Sequence, residues 1–264
     1  MAETPAPSPG EIFDRAVEEG TRRLDQSLLE LISTSFIAGF TIVFGIVALG
    51  IVEALVEPQF GEVAKIAGAL AFGVGLVFVV VGRTELFNEN FFDPVAAAAD
   101  RSGTWMLSPL LRLWALTLVF NLLGGGLFAL VFSVDGVLPS GTGDVLAAFA
   151  KESARHGPAA WFSSAVAGGA LVSLLSFLLV AVNSVRTRLS LAYIVGFLLA
   201  LGPLNHVVVT ALHVFFGILF GANIGLGTLA VMIVVVTIGN LLGGLGLVTL
   251  THVTQAMGAR NAGE

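Results

Sequence analysis

The chain contains no cysteine, which excludes disulfide frameworks, thiolate metal sites and thiol nucleophiles. Charge is scarce as well: Asp, Glu, Lys and Arg make up 11% of the 264 residues, against roughly 25% in soluble domains. Water is therefore not the main solvent of this chain. There is no basic patch on which nucleic-acid binding could rest. The N-terminus is polar, acidic and Pro-rich (Glu3, Pro5, Pro7, Pro9, Glu11), so no cleavable signal peptide is expected. An activated nucleophile beside a histidine is also missing, since Ser173 and Ser176 lie in ordinary apolar sequence. No His/Glu constellation has metal spacing. Neither a cofactor, a metal nor an enzymatic activity is expected.

Apolar runs are what the chain has in quantity. Hydrophobic residues are 56% of the total and the mean hydropathy is +0.96. The runs 32–56, 64–82, 107–133, 159–182, 189–221 and 227–251 are long enough to cross a bilayer. Residues 1–10 read as a disordered tip. From Glu11 to Ile32, Phe13, Val17, Leu24, Leu28 and Leu31 recur mostly at helical spacing between charges, which predicts an amphipathic helix on the membrane surface. With six spans, one side of the membrane receives Arg15, Arg22, Arg23, Arg101, Arg112, Arg186, Arg188 and Arg260, and the other only Lys65, Lys151 and Arg155. That asymmetry puts both termini in the cytoplasm.

Two spans carry breaks. After Gly82 the second meets the polar stretch Arg83-Thr84-Glu85-Leu86-Phe87-Asn88-Glu89-Asn90, and Gly202-Pro203-Leu204-Asn205-His206 interrupts the fifth. Pro203 removes a backbone donor, and Asn205 is expected to cap a second half-helix over Val207–Gly221. Asn121-Leu122-Leu123-Gly124-Gly125 returns 119 positions later as Asn240-Leu241-Leu242-Gly243-Gly244, and the same offset carries Glu85 to Leu204. Ala38-Gly39 and Ala167-Gly168 correspond at an offset of 129. Three spans per half is an odd number, so the second copy lies inverted relative to the first. Inverted repeats with a broken helix in each half are a plan for membrane transport, with the pathway at the repeat interface.

The expected architecture is an all-α membrane protein: six transmembrane helices as two inverted three-helix repeats, with broken second and fifth helices. A cytoplasmic tail and surface helix occupy 1–31, the membrane domain 32–254 with repeats at about 32–133 and 159–251, and a cytoplasmic tail 255–264.

The motifs resemble a family. Gly82 to Asn90 with its Glu85-Leu86-Phe87 core, Asn205-His206-Val207-Val208-Val209-Thr210, Thr237-Ile238-Gly239-Asn240 and Phe120-Asn121 are similar, in order and spacing, to signatures of the formate/nitrite transporters. The resemblance implies an aquaporin-like fold, a homopentamer, and one pore per protomer for a small monovalent anion or its conjugate acid, with protons as a coupled partner. The sequence departs from the family pattern at Asn205, where glutamate is usual, and at Thr210 and Ser173, where asparagine is usual. Arg83 takes a normally small position, and the basic residue expected before the fourth helix falls near His156 or Gly157.

His206 is the leading pathway residue, because an imidazole at a break within a membrane is expensive unless used. The alternative is a histidine that only braces the break. Thr210 and His213 follow at i+4 and i+7 and extend a polar stripe. The start of the half-helix beside His206 favours an anion through its free N–H groups and dipole. By resemblance, Phe87 forms a constriction that Leu86 or Leu199 closes, and Ser173 lies on the pathway. Glu85 is expected to accept bonds from N–H groups freed in its loop and to pair with Arg83. Asn121 and Asn240 are each expected to fix the opposite broken helix. A neutral-solute pore, or a scaffold that kept the fold and lost transport, are the competing readings.

Overall fold

The computed structural model describes residues 7–101, 106–202 and 204–262, the last four without side chains. Pro203, read above as a breaker, the tip residues 1–6 and the side chain of Arg260 lie outside this description. All regular structure among the described residues is helical. Five helices are long and apolar enough to cross a membrane: α2 (Leu28–Phe60), α3 (Val63–Val81), α5 (Leu107–Phe132), α7 (Pro158–Ala181) and the run from Leu226. The fifth expected span is split into α8 (Val185–Leu201) and α9 (Val207–Leu219). The last run begins as α10 (Leu226–Leu241), passes through a π-helical stretch at Leu242–Thr249 and ends as α11 (Leu250–Ala262), so the expected C-terminal tail is helical to Ala262. Short helices α1 (Pro9–Leu24), α4 (Asp93–Asp100) and α6 (Thr142–Arg155) complete the order.

α1 starts earlier and stops sooner than its sequence pattern suggested. Ser8 and Glu11 form a reciprocal capping box with Pro9 in the first turn, so the expected tip is already helical at Pro9. Ser27 caps the first turn of α2 through the Glu30 N–H at 3.2 Å, which separates the two helices at residues 25–27. The apolar stripe of α1 does not face lipid. Phe13 and Ala16 bury themselves against Phe92, Ala96, Val180 and Val253 of the protein's own end. At Gly20 the α1 backbone comes so close to the Asp93 carbonyl that any Cβ would collide with it. Arg112 of α5 holds the elbow, donating to the carbonyls of Leu24 and Gln26, each at 2.9 Å.

Ion pairs within α1 reinforce the helix. Glu19 lies 2.7 Å from Arg22 and 3.4 Å from Arg23. Burial alone would push the Glu19 carboxyl up, but these guanidiniums outweigh it and hold it at about 2, below its ordinary 4.5.

α3 ends in a Schellman motif: the Thr84 N–H reaches the Val79 carbonyl and the Arg83 N–H the Val80 carbonyl. The residue in left-handed conformation is Arg83, with φ +51°, rather than the neighbouring Gly82. Glycine usually fills that position because it pays no Cβ penalty. α6 escaped the sequence reading; it buries Val145, Leu146, Ala147 and Ala150 and packs on α9 and α2.

The two halves are built from the same contacts. In the first, Gly39 meets the carbonyl of Asn121, and Gly124 that of Phe36; in the second, Gly169 meets the carbonyl of Asn240, and Gly243 that of Val166. Gly39 therefore corresponds to Gly169, one residue beyond the Gly168 expected from the sequence. Gly168 instead lies against the carbonyl of Asn205. Helices packed this closely inside a membrane gain dispersion contacts that larger side chains would forbid.

Two outcomes follow from this packing. Gly39→Ala forces backbone apart and is expected to destabilise the protein by about 1–3 kcal/mol. Gly126→Ala, whose Cβ would meet only the Phe215 ring edge at 3.8 Å, is expected to stabilise by about 0.5–1 kcal/mol through helix propensity. Thermal melts in detergent compare them, and equal shifts would contradict the close approach. The second concerns α1. Because its folded pKa is depressed by its pairs within the helix, Glu19 contributes to the stability of α1 above 4.5 and loses that contribution as pH falls towards about 2. Hydrogen exchange of α1 amides should show protection decaying across that window, and Glu19→Gln should weaken protection already at neutral pH.

Candidate functional site

A helix broken at bilayer depth leaves backbone groups without partners. In each half, one asparagine takes them up. Asn121 accepts from the Phe87 N–H at 2.9 Å and donates to the carbonyls of Ser35 at 2.7 Å and Glu85 at 2.9 Å. Asn240 accepts from the Val207 N–H at 2.8 Å and donates to the carbonyls of Ala165 and Asn205, both at 2.7 Å. Each asparagine braces the break of its own half, not the opposite one as the sequence suggested. Glu85 and Asn205 are the equivalent positions, again one residue beyond the sequence register. Asn121 and Asn240 are both fully buried.

The cap of α9 is His206, not Asn205. Asn205 is engaged elsewhere: its amide donates to Ser164 Oγ at 2.5 Å, and its Oδ1 accepts from Thr210 Oγ1 at 3.1 Å. Thr210 thus ties the break together. The His206 Nδ1 accepts from the Val209 N–H at 3.4 Å, while the His213 Nδ1 meets the Val209 carbonyl at 3.1 Å. One peptide residue therefore dictates both tautomers. A nitrogen that accepts an N–H carries no proton, so neutral His206 carries its proton on Nε2; a nitrogen facing a carbonyl must donate, so the Nε2 of His213 is a bare acceptor. Both Nε2 atoms are buried without a hydrogen-bond partner among the described residues. The His213 ring stacks at 4.3 Å on Phe149 of α6 and at 6.2 Å on Phe72 of α3, so it leaves the Thr210 environment for an aromatic one.

The apolar residues expected at a constriction are all enclosed: Leu86 at 0%, Phe87 at 2% and Leu199 at 4% exposure. Phe87 stacks edge-on against Phe91, with centroids 5.0 Å apart. Ser173 is buried and its hydroxyl has no partner among the described residues, and a Cβ at Gly244 would strike both Ser173 Oγ and the Phe91 ring. This brings α7, the π-helical stretch and the first break together. Asn88 was missed in the sequence reading. It is fully buried, and neither its Oδ1 nor its Nδ2 has a partner among the described residues. Its signal was its place, an amide directly after Phe87.

At the α1 end lies a cavity of about 430 Å³, lined in part by Arg15, Arg22, Arg83, Arg188 and the carboxylates of Glu85 and Glu89. The expected Glu85–Arg83 pair is not formed. The left-handed backbone at Arg83 turns its side chain outward, 71% exposed, towards Glu19 at 3.7 Å. Glu85 is bound instead by Arg22 at 3.2 Å, Arg23 at 3.6 Å and the Gln26 amide at 3.1 Å. It serves α1 docking rather than the N–H groups of its own loop.

Comparisons with known proteins bear on the fold and the family. The inner membrane protein YfdC of Escherichia coli is 22% identical over 205 residues, 78% of this chain and 65% of that protein. The uncharacterized transporter YrhG of Bacillus subtilis is 27% identical over 124 residues, covering 47% of this chain and 46% of that protein. The chain thus matches less than two thirds of the length of either relative. Among solved structures, one described as an FNT family ion channel shares the fold with a TM-score of 0.80 and 18% identity, covering 91% of this chain and 97% of its own. A pentameric formate channel with formate bound gives a TM-score of 0.68 and 19% identity, over 89% and 96% of the two chains. Residues 10–254 match the family described as formate/nitrite transporter, and the chain belongs to that family.

Proposed function

We propose that this protein carries a small monovalent anion, or its conjugate acid, across the cell membrane as a homopentamer with both termini cytoplasmic. The observation that carries the reading is the His206 ring. Its Nδ1 is spent on the Val209 N–H, which leaves the Nε2–H as a buried donor without a partner at the start of α9. A donor beside a helix N-terminus suits an anion that has shed its water. The buried amide of Asn88 and hydroxyl of Ser173 offer further polar contacts near the first break, and Phe87, Leu86 and Leu199 supply the apolar constriction. At the α1-side cavity Arg15 and Arg188, whose hydrogen bonds go to neutral carbonyl and amide groups, are the guanidiniums that attract anions to the mouth. Formate is the first substrate to test, because a formate-bound channel shares the fold. The same neighbour is described as pentameric, which supports five copies.

Proteoliposome flux of formate, nitrite and neutral solutes at two external pH values tests the reading. His206→Asn keeps a polar group of similar reach that does not titrate, so the variant is expected to stay assembled and lose the pH dependence of uptake. His206→Phe, which removes the donor, should lose anion flux more completely. His206→Asn with wild-type flux and an unchanged pH profile would reject the role, and water or ammonia flux without anion flux would favour the neutral pore.

A further inference from the structure

Anion passage gives no task to Glu89. It sits in the 3₁₀ turn Phe87–Asn90, 3% exposed, and its side chain lines the α1-side cavity. Its main-chain carbonyl is held by Arg23 Nη1 and Ser176 Oγ, each at 2.9 Å. The carboxylate itself has no cation within 4 Å among the described residues, and Oε1 accepts no hydrogen bond.

The cations around it are committed elsewhere. From α1, Arg22 pairs with Glu19 and Glu85, and Arg23 with Glu19, Glu85 and Asp93. Arg83, from the break, reaches only Glu19. Arg15 donates to Val180 and Asn183, and Arg188, from α8, to the Val182 carbonyl. α7 contributes Ser176 but no charge to the cavity, and Glu18 of α1 adds a further carboxylate. Four buried or half-buried carboxylates, those of Glu19, Glu85, Glu89 and Asp93, therefore share the three guanidiniums of Arg22, Arg23 and Arg83, and Glu89 is the one left out. A buried charge without a partner is far more costly than a neutral acid. The orphaned atoms of the cluster, Glu89 Oε1, Asp93 Oδ1 and Glu85 Oε2, are all acceptors. What the cluster needs is a hydrogen. No group of three His, Asp or Glu suited to a metal ion exists among the described residues.

We propose that Glu89 is a proton-binding site at the α1-side mouth, held as a carboxylic acid, and that it loads the proton accompanying a weak-acid anion; the second clause rests on the transport reading above. In the discharge step the O–H bond of Glu89 breaks and its proton passes to water, leaving the carboxylate. In the loading step the O–H bond of the arriving weak acid breaks, an O–H bond forms on that carboxylate, and the anion is released.

Infrared spectroscopy of the purified full chain tests the site, and proteoliposomes with an internal pH dye and formate as probe test the coupling. The wild type should show a protonated-carboxyl stretching band at neutral pH, lost on alkaline titration and absent in Glu89→Gln. In that variant, proton uptake per formate should fall to the level of the leak. Should Glu89→Gln fail to assemble, Glu89→Asp should shift the band. A wild type without a protonated carboxyl at neutral pH, a band retained in Glu89→Gln, or unaltered protons per formate would overturn the proposal. The Glu89 band without any formate flux would uphold the proton site and reject the transport reading.

Discussion

A backbone N–H or carbonyl with no partner at bilayer depth costs several kcal/mol, because no water is available to replace the lost bond. This chain interrupts two of its helices in its buried interior, and the rest of its construction follows from how those groups are satisfied. A side-chain amide has an acceptor oxygen and two donor hydrogens, enough to take one N–H and one carbonyl of a break and to tie both to a carbonyl of the intact first helix of the half, Ser35 of α2 or Ala165 of α7. Asn121 and Asn240 use that inventory fully and in the same way. Aspartate would offer no donor, and leucine nothing at all. The amide also needs the helix that carries it to lie almost in contact with the first helix of its half. Gly39 and Gly124 in one half, Gly169 and Gly243 in the other, remove the side chains that would prevent this. The glycines and the asparagines are therefore one device, and neither works without the other.

That coupling explains what could be read from the sequence. Asn-Leu-Leu-Gly-Gly appears twice because an amide and its neighbouring glycines must travel together, and its recurrence related the two breaks to one another. Register was legible only to within one residue. The offset was measured between third helices, while the breaks and first helices are displaced by insertions that leave no composition signal. α6 was missed for another reason: at 14 residues, with a modest apolar face, it lacks the length that makes a membrane span conspicuous. Its consequence is local but real, since Phe149 on α6 forms one wall of the His213 site.

Side-chain assignments were harder to read, because they depend on competition for partners. Asn205 is the better cap by residue type, yet Ser164 and Thr210 claim its amide and leave capping to His206. Glu85 and Arg83 are two apart in sequence and opposite in charge. Their backbones send them to different places, Arg83 outward from a left-handed turn and Glu85 beneath α1. Sequence spacing reports which groups are near one another along an ideal helix, and a break is where that geometry ends.

The same competition gives α9 its polarity towards a ligand. Val209 offers one N–H and one carbonyl, and the two histidines on the same helix take one each. The N–H goes to His206 because a capping position lies before the first turn, where N–H groups are unpaired. The carbonyl goes to His213 because it is four residues later and reaches back along the helix. Had either ring been free to choose, both nitrogens would have been interchangeable and the site indifferent to the sign of its ligand. With the choice made by the backbone, the free edge of His206 presents hydrogen and that of His213 presents a lone pair. Only the first edge offers the donor that the proposed anion passage requires, and the helix N-terminus there adds to the attraction for negative charge. At the second, between Phe149 and Phe72, the free nitrogen accepts only from a species that brings its own hydrogen. The order of these two edges along α9 is fixed by a three-residue spacing between His206 and Val209 and a four-residue spacing between Val209 and His213, so the helix itself is the element that separates donor from acceptor.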